Sequence, residues 1–427
     1  MITSTIGRIF LDAYNEKNGT SYDAKKFFVD VYYPLFFDSS KYLQWVQNSP
    51  FVQMKKGQKV ETLTEIERLE KLQELHSKID SGCKDASVAL GYPASEEKEF
   101  ATTSGLVSNI DIQTSAEDVY FSWIGASLGV CVQGGLSILF TNPEILLDIF
   151  DGWKIYRDVL NNTEMLKGNQ VNTWNGQWLG HIYGKTYVPK RPMANFQPFD
   201  TKPDGMSVKV QSWTKVLIGI SRHYGDPQMM GYVYSLGQTN TTVGFIPFNL
   251  AQIRKPIEFY NIVFGMNKGD DAEELWGTET GFRMSCRAGV IGLKAMEPKG
   301  LKQYFIGTKM PKKAKDSQQE VTFNTYIIWI LAMLNNQELW EKSKNYAQIL
   351  LDYSKSGKNS KTINSQKVSR ILSATNKKTF ISELTEIVGE VASKESIIEL
   401  AEFINSMPTD NVPYFLTLLR FSYAAIN

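Results

Sequence analysis

The sequence has little cysteine and little histidine, with three of each among 427 residues. Cys83, Cys131 and Cys286 lie far apart and form no CxxC pair, which excludes a disulfide framework and a thiolate zinc site. The histidines show neither the HExxH motif nor the paired spacing of a metal site. These absences predict a protein of a reducing compartment that carries no metal or other cofactor.

Long apolar runs are missing as well. The longest, from Tyr326 to Leu334, has nine residues, about half of what spans a bilayer. Near the N-terminus, Arg8 and Asp12 stand where a signal peptide requires an apolar core. The sequence therefore predicts a soluble, cytoplasmic protein that has no contact with a membrane.

Phosphate-binding motifs of nucleotide hydrolases are also lacking. The glycines between Gly125 and Gly135 are not followed by the GK[ST] ending of a P-loop, and GxGxxG spacing does not occur. This disfavours nucleotide hydrolysis as the activity of the chain.

Apolar surface, in contrast, is plentiful, since 42% of the residues are hydrophobic and 12% are aromatic. Helical periodicity dominates residues 1–80, and Asn142 before Pro143 predicts the start of a further helix. Short β-rich segments predict a mixed or mainly antiparallel sheet within residues 100–300. These segments are residues 126–140, 206–213, 215–222, 229–237 and 241–250. The expected fold class is α+β.

A polar stretch without apolar periodicity, residues 309–320, predicts a basic linker. It would separate an α+β body, residues 1–308, from a bundle of five or six helices, residues 321–427.

The distribution of charge is uneven although the totals nearly cancel, with 46 basic and 45 acidic residues. Residues 353–382 contain no carboxylate side chain, whereas residues 383–427 are acidic. Seven cations lie in the acid-free stretch: Lys355, Lys358, Lys361, Lys367, Arg370, Lys377 and Lys378. Such a surface suits phosphate, and seven phosphate contacts would give log K against log salt a slope of about −6. Two alternatives remain: a lysine face that docks on the acidic last helices, and an acidic protein partner.

Two weaker candidates lie in the predicted body. Residues 180–199 contain Lys185, Lys190 and Arg191 between aromatic residues, a pattern that suits nucleic-acid strands with accessible bases. A polar turn carries Gln238 and Asn240, whose amides are able to hydrogen-bond base edges. The alternatives are a loop whose aromatics cover the sheet and an ordinary hairpin turn.

A metal-dependent nuclease of the PD-(D/E)xK kind is the main enzymatic alternative, and Mg²⁺ would then be its cofactor. One candidate set is Asp204 with Lys209, where Ser207 occupies the place of the second carboxylate. The other is Glu297 with Lys299 and the upstream Asp270 and Asp271, interrupted by Pro298. A protein-interaction scaffold is a further alternative.

The layout of an α+β body followed by a cation-rich helical domain resembles that of the large subunit of type I CRISPR interference (Cascade) complexes. The resemblance implies a non-catalytic body, a bundle that holds nucleic acid through its backbone, and other protein subunits as partners. It implies no role for an individual residue. On this basis, the sequence predicts a non-catalytic nucleic-acid-binding subunit of a bacterial antiviral defence complex.

Overall fold

The computed structural model describes residues 2–46, 49–81, 115–203, 205–235, 241–265, 272–356 and 361–427. The chain forms two compact units: residues 1–250 with 286–290, and residues 251–285 with 291–427. Helices predominate in both units, and an antiparallel sheet lies in the first. The predicted α+β class is therefore confirmed.

The first unit begins with helices, as the periodicity of residues 1–80 predicts. Thr64 and Glu67 form a capping box at the start of α4, each satisfying a backbone N–H group of the other residue. A π-helical stretch, Phe28–Tyr32, joins α2 to α3, so the helical path continues through Pro34 instead of ending before it. The helices are α1 (Ile2–Asn18), α2 (Ala24–Phe27), α3 (Tyr33–Phe36), α4 (Glu65–Asp80) and α5 (Ala116–Ser127).

Helices α1 and α5 pack with their backbones in direct contact. A Cβ atom at Gly7 would lie 2.0 Å from the Phe121 carbonyl oxygen, and one at Gly125 would lie 1.9 Å from that of Thr3. Each position therefore requires glycine, because any larger residue would force the two helices apart.

The sheet of the first unit has four antiparallel strands in the order β1-β2-β5-β6, and a separate hairpin pairs β3 with β4. The strands are β1 (Val130–Val132), β2 (Leu136–Phe140), β3 (Phe199–Lys202), β4 (Gly205–Val208), β5 (Gln228–Ser235) and β6 (Thr241–Asn249). Helices accompany them: α6 (Pro143–Asn162), α7 (Val171–Ile182) and α8 (Trp213–His223). Asn142 caps α6 through the N–H groups of Glu144 and Ile145, as predicted.

One predicted strand is wrong. Residues 215–222 lie within α8, whose first turn is capped by Ser212. Every residue from Val216 to Ser221 is buried, and the polar side of the helix is marked by Lys215 and Arg222 at the two ends of this run. A short apolar run of this kind reads equally well as a buried strand.

The second unit is helical. Its helices are α9 (Leu250–Phe264), α10 (Glu279–Arg287), α11 (Lys302–Phe305), α12 (Ser317–Leu334), α13 (Leu339–Lys355), α14 (Lys361–Ser373), α15 (Lys377–Thr385), α16 (Lys394–Ser406) and α17 (Val412–Ile426). Helix α17 is central, because it packs against α11, α12, α13 and α14. Its polar contacts include Ser422, which hydrogen-bonds Ser343 of α13 at 2.6 Å.

The compact units divide at Leu250, whereas the sequence predicts a boundary within residues 309–320. Residues just before that stretch pack on the helical unit: the ring of Tyr304 lies 5.0 Å from that of Phe421, and the Tyr304 carbonyl accepts a hydrogen bond from Arg420. Among the described residues, no helix is both long enough and apolar enough to cross a membrane.

Candidate nucleic-acid interface

The predicted cations of α14 are mostly engaged within the protein. Lys367 Nζ lies 2.7 Å and 2.8 Å from the two carboxylate oxygens of Glu390, and its side chain is only 17% exposed. Tyr353 also donates a hydrogen bond to Glu390, at 2.5 Å. These two donors hold the pKa of the Glu390 carboxyl below its ordinary value, so the carboxylate stays ionised opposite Lys367.

Two further cations of the acid-free stretch have internal partners. Arg370 Nε lies 3.2 Å from Glu383 Oε2. Lys377 Nζ donates to the carbonyl oxygens of Asn405 and Met407 at the end of α16, where the helix dipole favours a cation. The predicted phosphate surface of the acid-free stretch requires cations that the following acidic residues leave unpaired, and Lys367 and Arg370 do not meet this requirement. For these two, docking on the acidic last helices is what the structure shows.

Of the four remaining cations of the acid-free stretch, the structure shows the side chains of two. Lys355 ends α13 and Lys378 lies in the first turn of α15, and both are exposed. Lys358 and the side chain of Lys361 lie outside the described part of the chain.

Helical geometry explains why the hydroxyl and cationic groups of α14 separate. At about 100° per residue, Lys367 and Arg370 point to the side of the helix opposite Ser365 and Ser369. The cations face Glu383 and Glu390, while the two serines line a groove on the other side. The sequence places these groups together, but the helix does not.

A second group of lysines lies in residues 309–315, which we call the basic segment. Residues 310–315 form neither helix nor strand, and Lys309, Lys312, Lys313 and Lys315 are all exposed. Among the described residues, none of these four lysines forms an ion pair. The nearest carboxylate in the sequence, Asp316, caps α12 by accepting from Gln319 N at 2.8 Å. The basic segment thus keeps its charge available to a ligand.

Two grooves lie beside the basic segment. The Arg420 groove, about 400 Å³, lies between the segment and helices α14 and α17, and Lys312, Lys313, Ser365, Ser369 and Arg420 supply polar groups to it. The Phe323 groove, about 440 Å³, is bordered by all four lysines of the segment. It also contains the amides of Gln318 and Gln319 and the aromatic residues Tyr304, Phe323, Tyr326 and Phe421. Within the part of the chain that the structure describes, no aspartate or glutamate side chain lines either groove.

The aromatic residues of the patch in residues 180–199 pack inside the protein. The ring of Phe196 stacks on that of His181 with centroids 4.2 Å apart, and Tyr183 donates to Asp148 at 2.6 Å. Burial lowers the pKa of His181 and raises that of Asp148, as expected for groups used in packing. Lys190 and Arg191 are exposed, so the patch offers these two cations to a ligand while its aromatic rings cover the core; Lys185 is exposed as well but is already engaged in an interaction within the protein.

Several predicted residues lie outside the described part of the chain: Gln238, Asn240, Asp204, Asp270 and Asp271. The other residues of the nuclease alternative are described. Lys209 pairs with Asp200 at 3.8 Å, Glu297 is partly buried with its pKa raised by desolvation, and Lys299 is exposed. No three His, Cys, Asp or Glu residues among those described form a group able to hold a metal ion. Because Asp204 and Asp271 are not described, the nuclease alternative stays a prediction.

The basic segment is the part of the site that sequence reasoning missed. The sequence predicts a linker at these four lysines, because a polar stretch without periodicity is typical of a connection between domains. The signal that marks it is their density, four lysines in seven residues. No family model matches this chain, and neither a curated protein nor a solved structure matches it.

Proposed function

We propose that the second unit binds nucleic acid through the basic segment and the two grooves beside it. The observation that carries this proposal is that Lys309, Lys312, Lys313 and Lys315 are exposed and form no ion pair with a described residue, beside grooves that no described carboxylate side chain lines. Phosphate binding needs such cations together with hydroxyl, amide or backbone donors. Among the described residues, the backbone N–H groups of Lys312, Lys313 and Ala314 have no protein partner and add such donors.

The shape of the segment favours a polyanion over a single small anion. Seven residues in extended conformation reach up to about 25 Å. A nucleic-acid strand carries one phosphate about every 3.4 Å along its axis, so several phosphates would lie within reach of the four lysines. The exposed amide of Gln318 and the partly exposed ring of Phe323 in the Phe323 groove also suit bases, which hydrogen-bond amides and stack on rings, whereas Tyr304, Tyr326 and Phe421 are buried.

The proposal extends to the role implied by the layout of the chain. The protein would act in the cytoplasm as a non-catalytic subunit that holds nucleic-acid backbone in a bacterial antiviral complex, with other protein subunits as partners. Lys355 and Lys378 in the second unit, and Lys190 and Arg191 in the first, are exposed and would add contacts. Purification from the native host tests this role: co-purifying RNA of uniform length and further subunits support it, and a clean monomer contradicts it.

The binding itself is tested by fluorescence anisotropy with labelled 30-nucleotide single-stranded and duplex DNA and RNA at salt concentrations from 50 to 200 mM. We expect affinity to fall at least about 100-fold over this range for the best probe, which is the loss expected from the four lysines of the basic segment alone. Affinity that is absent, or that does not change with salt, would contradict the proposal and favour a protein-interaction scaffold.

The same samples distinguish the nuclease alternative. Incubation with Mg²⁺ is expected to leave the probes intact. Cleavage that requires Mg²⁺ and is lost in Glu297→Ala would replace the non-catalytic role with the nuclease.

A further inference from the structure

Arg420 is a buried cation that has no carboxylate partner among the described residues. Only 3% of the residue is exposed, and it donates to three backbone carbonyl oxygens, those of Leu372, Tyr304 and Ala374, at 2.5–2.7 Å. Leu372 belongs to the last turn of α14 and Ala374 follows that helix, so the carbonyl groups of these two residues lie at the negative end of its dipole. The partial charges of the carbonyl groups offset the full positive charge of Arg420 only in part. Burial of that charge lowers the pKa of the guanidinium.

The residual positive charge of Arg420 lies at the wall of a groove that also carries hydroxyl groups. Ser365 and Ser369 are exposed, one turn apart on the groove side of α14, and Lys312 and Lys313 border the groove from the basic segment. Anions are stabilised in cavities that combine cations with hydroxyl donors, above all where partial burial reduces screening by water. The volume of about 400 Å³ is within the range of small-ligand sites.

We propose that the Arg420 groove is a binding site for a single phosphodiester group of the bound strand. Lys312 and Lys313 form the ion pairs, the Ser365 and Ser369 hydroxyls donate hydrogen bonds, and Arg420 contributes its charge from within the protein. This inference rests on the proposed nucleic-acid binding and assigns one phosphate to a defined place. The other phosphates would meet the remaining lysines at the surface.

The test compares Ser369→Glu with Gln366→Glu in anisotropy measurements with the 30-nucleotide probe that wild type binds best. Both variants add one negative charge to α14, and Gln366 is exposed but does not line the groove. A carboxylate inside the groove repels the phosphate and pairs with Lys312 or Lys313. We expect Ser369→Glu to weaken binding at least about 10-fold at 50 mM salt, and Gln366→Glu less than about threefold.

A charge-neutral variant gives a second, independent answer. Ser365→Ala/Ser369→Ala removes only the two hydroxyls from exposed helical positions, where alanine favours the helix. We expect at least about a threefold loss of affinity, with an unchanged melting temperature showing that the fold is intact.

The outcomes separate the two proposals. Wild type without salt-dependent binding would overturn both of them. Salt-dependent binding with equal losses in Ser369→Glu and Gln366→Glu, or with wild-type affinity in the double alanine variant, would overturn the phosphate site and leave the proposed function standing.

Discussion

Two regions of the second unit are rich in lysine, and they differ in their surroundings. The acid-free stretch around α14 contains seven cations in residues 353–382, and the basic segment contains four in residues 309–315. In the first region, Lys367, Arg370 and Lys377 are engaged by Glu390, Glu383 and two carbonyl groups. In the second, all four lysines are exposed and form no ion pair among the described residues, and Lys309 lies over the ring of Tyr304.

The comparison shows that distance along the chain from acidic residues does not predict available charge. Glu383 and Glu390 follow the acid-free stretch directly, and the turn from α14 into α15 brings them back to its cations. The basic segment is adjacent to Asp316 in sequence, but that carboxylate caps α12. Available charge depends on the spatial neighbours of each side chain.

The largest effect is expected from removing the charge of the basic segment. In Lys309→Gln/Lys312→Gln/Lys313→Gln/Lys315→Gln, affinity for the oligonucleotide should fall on the order of 100-fold at 50 mM salt. The slope of log K against log salt should decrease in magnitude by about 3 to 4, since each lysine contributes about one phosphate contact. Unchanged affinity in a folded variant would show that the segment is a connection only.

A gain of affinity is expected when the paired cations are released. Glu383→Gln/Glu390→Gln removes the partners of Arg370 and Lys367, whose charges then become available to phosphate. We expect affinity to rise about threefold to tenfold and the slope to become steeper by up to about 2. The matched control is Glu395→Gln/Glu402→Gln on α16, two exposed carboxylates whose loss changes the net charge equally. An equal gain of affinity in the control would show that the change in net charge, and not the release of Lys367 and Arg370, causes the effect.

A smaller loss is expected from the patch of the first unit. Lys190→Gln/Arg191→Gln removes two exposed cations, and affinity should fall about threefold, with a decrease in slope of less than 2. The control is Lys17→Gln/Lys154→Gln, because both of these lysines pair with Asp151. A larger loss in the control than in the variant would contradict the assignment of this patch.

The smallest effect is a dependence of stability on pH. The folded-state pKa of Glu390 is depressed by Lys367 and Tyr353, so the pair contributes stability above the unfolded pKa of about 4.3, and the contribution is lost as pH falls through the lower folded value. Glu390→Gln should therefore melt slightly below wild type at pH 7, with the difference vanishing near pH 3. A difference that persists at pH 3 would show that the carboxylate charge is not its cause.

The fold could be predicted where local signals are strong. Asn142 caps α6 as expected, and the glycines at 134 and 135 lie in the turn of the β1–β2 hairpin. Residues 215–222 defeated the same reasoning, because the six residues between Lys215 and Arg222 are all buried, and so short an apolar run does not distinguish a helix from a strand. The backbone contact between α1 and α5 at Gly7 and Gly125 also has no signal in the pattern.

The candidate site could be predicted less well, because it depends on contacts between distant segments. The sequence shows that Lys367 and Arg370 lie in a basic region, but their pairing depends on how α15 and the residues after it return to α14. Likewise, the Arg420 groove joins residues 310–313, 365–372 and 420–427, which have no local relation. Counts of charge along the chain contain neither fact.

The most direct measurement compares salt dependence in two double variants that each remove two positive charges. Lys312→Gln/Lys313→Gln removes unpaired cations, and Lys367→Gln/Arg370→Gln removes paired ones. We predict that the slope of log K against log salt decreases in magnitude by about 2 in the first variant and stays at the wild-type value in the second. Equal slopes in the two variants, or the larger change in the second, would contradict the account.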